Sequence, residues 1–434
     1  MVARVMVETA DLRAWLEATK QRGMSLGLQS TAAALKELQL PAPAYETVHV
    51  AGSNGKGTTI AALSAALSAC SIDHVAFTSP HLVRVEERVR INGRPVSKEV
   101  FDEALRHVHQ TVQRARIDLT FFETTFLVAM VVAARSSVQV LLLETGLGGR
   151  LDATRVADAD VAVITSLSLE HASVLGDTLE AIAKEKAAIA RPGKPLIVRQ
   201  PTSASVRKGI EGCAKSAGNP DLGEKPQPAG LEWVLVDKSG PYVEEAMQLA
   251  NTAWNHLKAC HQHPFPAFKS LQWPGRMQAV TSPKRPNLTF LLEGAHNPSG
   301  MEKSCAVLSS TKALKGPWIL LFGTSPQQDM EAMLAPVVSL CNQCPPEAVV
   351  LTEPQFGRYP GVPREILAAS FEEAGLPVDG TFKTAKESVD WLEANGLDGT
   401  TVVCLGSLYL QGNLLSALGA DGDDLLAITA ERFV

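Results

Sequence analysis

The fold is decided by one stretch near the start of the chain, Thr47-Val48-His49-Val50-Ala51-Gly52-Ser53-Asn54-Gly55-Lys56-Gly57-Thr58-Thr59. Its first five residues are mostly apolar and predict a short buried strand. The rest form a glycine-rich loop, and the Ala- and Leu-rich residues 60–70 behind the loop predict a helix. A strand, a glycine-rich loop and a helix in this order form the context in which proteins bind phosphate groups.

The residue types in this loop suit nucleotide phosphates. Glycines let backbone N–H groups turn toward phosphate oxygens, Lys56 adds a positive charge, and the Thr58 hydroxyl can ligate Mg²⁺. The spacing differs from the common G-x-x-x-x-G-K-[ST] pattern because Gly57 separates Lys56 from Thr58. The alternative is a glycine turn that binds no ligand. The residues predicted to bind the nucleotide here are Gly52, Asn54, Gly55, Lys56, Gly57, Thr58 and Thr59.

Strands and helices alternate on both sides of this stretch. Further strands are predicted at residues 75–79, 138–144, 161–165 and 195–198, and helices at 97–113, 121–134 and 178–190. Strands separated by helices indicate a mostly parallel sheet, which binds ligands at the carboxyl ends of its strands.

The second half of the chain changes character and then resumes the alternation. Residues 199–241 are rich in Gly, Pro and Lys and predict a connecting or surface region, in which only residues 231–236 have strand character. A helix is predicted to follow at 243–257. Strands are expected again at 288–292, 318–322, 348–352 and 401–405, and the polar residues 281–287 are the best candidate boundary. We therefore predict an α/β protein, and its length suggests two or three domains.

The composition is that of an ordinary globular protein. The 434 residues carry a net charge of −6, are 45% hydrophobic and include seven cysteines. Interspersed charges argue against a nucleic-acid or membrane-surface binder, and sparse cysteines favour a reducing compartment. We see no leader and no apolar run long enough to span a bilayer, so we expect a cytoplasmic protein.

Several polar residues outside the loop are candidates for a site. Glu144 ends a predicted buried strand, where nucleotide enzymes place a metal ligand, although a helix cap or an ion pair with Arg150 is the alternative. His171 follows another strand and can ligate metal, although a lone histidine is more often structural. Lys186 lies in a charged helical stretch that is typical of a solvated face.

Other polar residues carry weaker signals. Arg276 and the pair His296-Asn297 lie in predicted loops and suggest function only in combination. The Cys341-x-x-Cys344 pair lacks the two further ligands that a zinc site needs, and His261-Gln262-His263 is isolated and predicts a surface loop.

These residues belong to an ordered series of motifs that covers most of the chain. The series resembles that of folylpolyglutamate synthase and dihydrofolate synthase, members of the Mur ligase superfamily of ATP-dependent amide-forming ligases. In chain order the motifs are Leu26-Gly27-Leu28, the loop at 49–58, Ser79-Pro80-His81-Leu82, Glu87-Arg88, Ile91-Asn92-Gly93, Phe121-Phe122-Glu123, residues 144–154, Leu169-Glu170-His171, residues 175–178, Glu185-Lys186-Ala187, Trp273-Pro274-Gly275-Arg276, residues 294–298 and residues 406–410.

The resemblance implies two domains: a P-loop-type ATPase domain with a mostly parallel sheet at residues 1–285, and a smaller Rossmann-like α/β domain at residues 286–434. It also implies a role for each matching residue. Lys56 would hold the β- and γ-phosphates of ATP, and Arg276 would meet the γ-phosphate. Thr58, Ser79 and Glu144 would surround one Mg²⁺ ion, and His171 would ligate a second. Lys186 would react with CO₂ to become an anionic carbamate beside the two ions. Glu293, His296 and Asn297 would approach the nucleotide or the substrate from the C-terminal domain.

The implied reaction is phosphorylation of a folate carboxylate by ATP, followed by attack of the L-glutamate amine on the acyl phosphate. The implied cofactors are ATP and Mg²⁺, with two Mg²⁺ ions expected. We expect a monomer whose only partners are small molecules. The Phe121-Phe122-Glu123 motif, preceded by Leu119-Thr120, resembles members that also accept dihydropteroate, so both activities are expected.

Three departures from the family pattern stand out. Glu293 occupies a position where Asp is usual, and Gln328-Asp329 replaces a Lys-Asp pair. The family's His-Gln-x-x-Asn-Ala segment has no recognisable match before the helix predicted at 243–257, and residues 200–265 look short. Two alternatives therefore stay open: a nucleotide- or folate-binding relative that has lost ligation, and a Mur ligase that acts on another carboxylate. The separation of Lys56 from Thr58 argues against a cell-wall Mur ligase.

Overall fold

The computed structural model describes residues 9–23, 27–236, 242–357, 359–395 and 398–433. The chain divides into two compact units. The first unit comprises the residues up to Pro80, Val85–Leu271 and the residues from Ile428 onward, and the second comprises His81–Arg84 and Gln272–Ala427. Both units combine helices with a mostly parallel sheet, which confirms the predicted α/β class.

The first unit is built on an eight-stranded sheet with the order β4-β3-β2-β5-β1-β6-β7-β8. Its strands are β1 (Glu46–Ala51), β2 (His74–Phe77), β3 (Val89–Ile91), β4 (Arg94–Pro95), β5 (Val140–Glu144), β6 (Val161–Ile164), β7 (Pro195–Arg199) and β8 (Gly230–Val234). Only β3 and β4 pair antiparallel with their neighbours; the other pairs are parallel. A separate two-stranded sheet pairs β9 (Phe268–Gln272) with β16 (Thr429–Arg432).

Nine α-helices belong to the described part of this unit. They are α1 (Thr9–Ala18), α2 (Gln29–Glu37), α3 (Lys56–Ala69), α4 (Lys98–Ala115), α5 (Phe121–Arg135), α6 (Ala172–Leu175), α7 (Leu179–Ala187), α8 (Ala204–Lys215) and α9 (Tyr242–Trp254). Helices α3 and α5 are buried on almost every face, which explains why neither shows a polar stripe in the sequence. None of the described helices is both long and apolar enough to cross a membrane.

The predicted connecting region at 199–241 proves to be part of the sheet layer. Helix α8 buries Val206, Ile210 and Ala214, which lie one helical turn apart, and β8 extends the sheet beside β7. The surface-region prediction was therefore wrong for α8, whereas β8 overlaps the residues 231–236 that had strand character. Frequent glycines and lysines obscured a helix whose apolar stripe is only one residue wide.

The second unit contains a six-stranded sheet with the order β10-β11-β15-β12-β13-β14. The strands are β10 (Gln278–Thr281), β11 (Thr289–Leu292), β12 (Trp318–Phe322), β13 (Ala348–Thr352), β14 (Gly380–Phe382) and β15 (Thr401–Leu405). The helices are α10 (Pro298–Ser310), α11 (Met330–Gln343), α12 (Arg364–Glu373), α13 (Ala385–Asn395) and α14 (Leu408–Ala417). All neighbours are parallel except β10 and β11.

The polar residues 281–287 join β10 to β11 within one antiparallel pair, so they form a hairpin connection. The division between the units falls instead between Leu271 and Gln272. The sequence placed the boundary at 285/286 because a polar, proline-containing turn has the same composition as a linker.

The short segment His81–Arg84 leaves the first unit and packs in the second, against α14. The close approach requires glycine at position 412, because a Cβ atom there would lie 1.9 Å from the carbonyl oxygen of Leu82. Gly412 lies inside α14, where alanine would otherwise be the better helix former by about 1 kcal/mol.

We expect Gly412→Ala to lower the free energy of unfolding by about 1–3 kcal/mol, because the overpacking outweighs the gain in helix propensity. Urea unfolding followed by circular dichroism measures the change. Gly422→Ala is the control, since a Cβ atom at Gly422 meets nothing within 4 Å. A Gly412→Ala protein as stable as the wild type would contradict the packing of His81–Arg84.

Candidate active site

The glycine-rich loop follows β1 and turns directly into α3. Gly55 precedes the first residue of α3 with a left-handed φ of 89°. Gly52 has a φ of 151°, and a Cβ atom on it would lie 1.8 Å from the Thr165 hydroxyl. Glycine at position 52 is therefore required both by the backbone conformation and by the neighbouring side chain.

Residues that follow β6 hold this loop in place. The Ser53 N–H donates to the carbonyl of Ser166 at 2.7 Å. The hydroxyls of Thr165 and Ser166 both donate to the Asn54 carbonyl, at 2.7 and 2.9 Å. The loop is thus ordered by the protein itself, so a ligand would not have to order it.

Two lysines meet at the carbonyl oxygen of Gly52. Lys56 Nζ donates to it at 2.9 Å from the first turn of α3, and Lys186 Nζ donates to it at 2.8 Å from α7. Lys186 also donates to Glu170 Oε1 at 2.7 Å and is only 1% exposed. The helical charge pattern predicted a solvated lysine, which was wrong because α7 turns this side chain inward.

Burial sets the charge balance of the Lys186–Glu170 pair. Desolvation lowers the pKa of Lys186, and nearby Lys56 lowers it further, while Glu170 partly restores it. Burial alone would raise the pKa of Glu170, but Lys186 and Lys56 together hold that pKa below its usual value. Because of this lowered pKa, a larger fraction of the Lys186 side chain is the neutral amine than in a surface lysine. The neutral amine is the form that acts as a nucleophile.

The metal ligands implied by the resemblance lie along the same edge of the sheet. Glu144 ends β5 and accepts the backbone N–H of Ser79, which follows β2, at 3.0 Å. Thr58 is buried in the first turn of α3. His171 follows Glu170 in an exposed position with a left-handed φ of 48°.

The donors are those of a hard cation. Within the described residues no group of three or more His, Cys, Asp or Glu side chains is arranged so that it could hold a metal ion. Hydroxyl and carboxylate oxygens suit Mg²⁺, which keeps several waters and shares substrate phosphates. The buried Thr145 hydroxyl, directly after Glu144, has no hydrogen-bond partner in the structure, which fits a hydrated ion at this point.

The second unit contributes a separate cluster at the carboxyl end of β11. Glu293 is buried, accepts the Met277 N–H at 3.1 Å and lies 3.5 Å from Arg276. Burial raises the pKa of Glu293, although Arg276 opposes the shift. His296 Nδ1 lies 2.9 Å from the Gly294 carbonyl, and Asn297 Oδ1 caps α10 by accepting the Gly300 N–H at 2.8 Å.

Sequence reasoning overlooked Asp152 as a positioning residue. Its Oδ2 accepts the N–H groups of Gly146 and Leu147 at 2.8 and 2.9 Å, and its Oδ1 accepts the Thr154 N–H at 3.0 Å. The carboxylate therefore shapes the turn that follows Glu144. The available signal was its place among glycines, two residues after Arg150.

It also overlooked a match in α9. Gln248 and Asn251 keep the Gln-x-x-Asn spacing of the family segment, with Met247 and Thr252 in place of His and Ala, and both side chains are exposed. The two replacements hid the match.

The cysteine and histidine pairs do not form a site in the structure. All seven cysteines are free, and burial raises the pKa of Cys341 to about 12. His261 and His263 are exposed, and the His263 carbonyl accepts the Trp254 indole N–H at 2.8 Å.

Comparison with known proteins agrees with this geometry. Residues 50–198 match the Mur ligase middle domain. The dihydrofolate synthase/folylpolyglutamate synthase of Escherichia coli (strain K12) is 32% identical over 324 residues, which cover 70% of this chain and 74% of that protein. The structure of E. coli FolC in complex with DHPP and ADP has a TM-score of 0.74 at 26% identity and covers 96% of this chain and 99% of that one.

A second solved structure, a bifunctional folylpolyglutamate synthase/dihydrofolate synthase with Mn, AMPPNP and L-glutamate bound, has a TM-score of 0.73 at 26% identity. It covers 94% of this chain and 98% of that one. A parallel sheet with this loop, two convergent lysines and a matching middle domain defines an enzyme of the Mur ligase class. The chain belongs to the dihydrofolate synthase/folylpolyglutamate synthase family, as its motif series predicted.

We expect Glu170→Gln to destabilise the protein by about 3 kcal/mol at pH 7, because the buried Lys186 ammonium loses its counter-charge. The folded pKa of Glu170 is lowered, so its contribution is present above its ordinary pKa and is lost as the pH falls below about 4. Loss of Glu170 also lowers the pKa of Lys186 further, so the difference from the wild type should shrink again at alkaline pH.

Denaturant unfolding across pH, in CO₂-free buffer with a metal chelator, measures the difference. Glu103→Gln is the control, because Glu103 forms an exposed ion pair with Arg135. A Glu170→Gln deficit that does not vary with pH would contradict the charge balance of the pair.

Proposed function

We propose that the protein adds L-glutamate to a folate at the expense of ATP, and that it also accepts dihydropteroate. The convergence of Lys56 and Lys186 on the Gly52 carbonyl, inside a preformed loop, is the observation that carries this proposal. The family membership and the relatives that hold ADP, AMPPNP, DHPP or L-glutamate support it.

The phosphate end of the site is assigned to the loop. The glycine-rich loop and the positive end of α3 attract the β- and γ-phosphates. Lys56 folds back onto the Gly52 and Ser53 carbonyls, at 2.9 and 3.3 Å, and has to leave them to reach a phosphate. Arg276, partly exposed beside Glu293, is assigned to the γ-phosphate.

Thr58, Ser79 and Glu144 are assigned to one Mg²⁺ ion, and His171 with modified Lys186 to a second. Bound Mg²⁺ supplies charge neutralisation for the transferring phosphoryl group. Neutral Lys186 forms an N–C bond with CO₂ and releases a proton, which replaces a positive charge with an anionic oxygen donor. The lowered pKa of Lys186 increases the fraction of neutral amine that this step needs.

The reaction then runs in two steps. A substrate carboxylate oxygen attacks the γ-phosphorus and ADP leaves; the glutamate amine next attacks the acyl carbon, phosphate leaves and a proton is lost. Lys56 and Arg276 stabilise the charge on the transferring group, and orientation supplies most of the remaining acceleration. We assign His296 and Asn297 to nucleotide or substrate contacts, and Gln248 and Asn251 to the adenosine end.

We further propose that the protein works as a monomer in the cytoplasm. The seven free cysteines, several of them buried, support a reducing compartment.

The proposal predicts ADP release that depends on L-glutamate, with tetrahydrofolate and with dihydropteroate as separate acceptors. Lys56→Ala should reduce kcat about 100-fold or more, since it removes a charge from the phosphoryl group. Lys208→Ala, which removes an exposed lysine on α8, is the control. ATP turnover that is independent of glutamate with both acceptors would contradict the proposal.

The assignment of α9 is tested separately. Asn251→Ala should raise the KM for ATP several-fold with little change in kcat, because contacts to the adenosine are equally strong before and during phosphoryl transfer. Asn255→Ala, one turn further on and also exposed, is the matched control. Equal KM values for both variants would remove Asn251 from the site.

A further inference from the structure

Two arginines lie in the interior of the first unit, outside the site described above. Arg155 is 0% exposed and Arg191 is 1% exposed. A buried guanidinium is costly unless a counter-charge and hydrogen bonds compensate it. The nucleotide loop and the metal ligands do not explain why these two arginines are buried.

Glu224 provides the counter-charge for both arginines. Its two carboxylate oxygens accept Arg155 Nη1 and Nη2 at 2.9 and 2.5 Å, and its Oε1 lies 3.9 Å from Arg191 Nε. Glu224 comes from the 199–241 region, which the sequence suggested was a surface connection. A tight turn directs it inward: Gly223 is left-handed, and the Asn219 N–H donates to Glu224 Oε2 at 2.7 Å.

The arginines connect this carboxylate to the end of α7. Arg155 Nε donates to the Ala188 carbonyl at 3.2 Å, two residues beyond Lys186. A cation at this point also compensates the negative end of the helix dipole. Arg191 donates to the carbonyls of Arg155 and Ala157, at 3.2 and 2.7 Å, so it braces the turn that carries Arg155.

The same turn reaches the loop behind Glu144. Thr154, next to Arg155, donates its hydroxyl to Asp152 at 2.5 Å, and Asp152 holds the Gly146 and Leu147 N–H groups. His49 Nε2 completes the chain at 2.8 Å from the Thr154 hydroxyl. Because the Thr154 hydroxyl donates to Asp152, His49 Nε2 is the donor in this contact. Burial, reinforced by Arg191 and Arg155, lowers the pKa of His49 well below its usual value, so the ring is neutral.

We propose that Glu224 is a positioning residue for the ligase site. Through Arg155 it fixes the last turn of α7, and therefore Lys186. Through the turn at residues 152–155 it also fixes the loop after Glu144. The inference deepens the proposed function, because it takes Lys186 and Glu144 as parts of the nucleotide–metal site. Through Glu224, the 199–241 region thereby takes part in positioning the site.

Glu224→Gln tests the proposal on the full-length protein. We expect faster amide hydrogen exchange in residues 184–190 and 146–150, and Mg²⁺-dependent ADP binding weakened at least tenfold by calorimetry. Glu224→Asp, which keeps the charge, should recover part of that affinity. Asp221→Asn, in the same turn but exposed, should match the wild type. Hydrogen exchange reports the positioning even if no ligase activity is found, so failure of the proposed function remains distinguishable.

Arg155→Lys serves if Glu224→Gln does not fold. Lysine keeps the positive charge but lacks the planar fork that binds Glu224 and the Ala188 carbonyl at once. We expect a folded protein with faster exchange in residues 184–190 and ADP binding weakened at least threefold. A folded Glu224→Gln or Arg155→Lys protein with wild-type ADP affinity would overturn the proposal. Instability spread evenly over the unit with unchanged binding would overturn it equally, because the role would then be structural alone.

Discussion

The first unit depends on one close approach, in which the Thr165 hydroxyl occupies the place that a side chain at position 52 would need. The approach requires glycine, and the carbonyl of this glycine accepts hydrogen bonds from both Lys56 and Lys186. The strand that ends at Ala51 and the strand that ends at Ile164 are neighbours in the sheet, so their connecting loops are forced together. A parallel sheet thus builds the site at its carboxyl edge simply by aligning the strand ends.

Charge inside the first unit is compensated locally, although the chain as a whole is acidic. Lys186 is paired with Glu170, Arg155 with Glu224, and Arg199 with Glu245 at 2.7 Å. Such pairs add little net stability compared with apolar residues, but loss of one partner leaves an uncompensated buried charge. The cost of a mismatch therefore restricts these lysines and arginines to single positions, and the site benefits at Lys186, whose amine must be held beside the nucleotide loop.

Local patterns predicted the elements whose burial is complete. Three strands of the second unit, Trp318–Phe322, Ala348–Thr352 and Thr401–Leu405, have the predicted bounds, because each is a continuous apolar run between turn signals. Strand β10 was missed because it buries only alternate residues, and helix α8 was missed because it buries only one narrow stripe. The turn at 281–287 was mistaken for a boundary, because only the pairing of the strands on either side of it, from Thr281 with Thr289 to Gln278 with Leu292, distinguishes a hairpin from a linker.

The site was predictable to the extent that its residues are adjacent in sequence. The loop Gly52–Thr59 could be recognised in the sequence as a candidate phosphate-binding loop because the strand, the loop and the helix are consecutive. Lys186, in contrast, has the sequence context of any solvated lysine on a helix. Its environment consists of Glu170, 16 positions earlier, and the Gly52 carbonyl, 134 positions earlier, and no local pattern encodes either contact. Glu224 is harder still to predict, because its partner Arg155 lies 69 positions away. Residues that contact a ligand can be recognised in the sequence when they form a local motif. A residue that neutralises another buried charge has no such motif, and only the structure shows the buried charge that it neutralises.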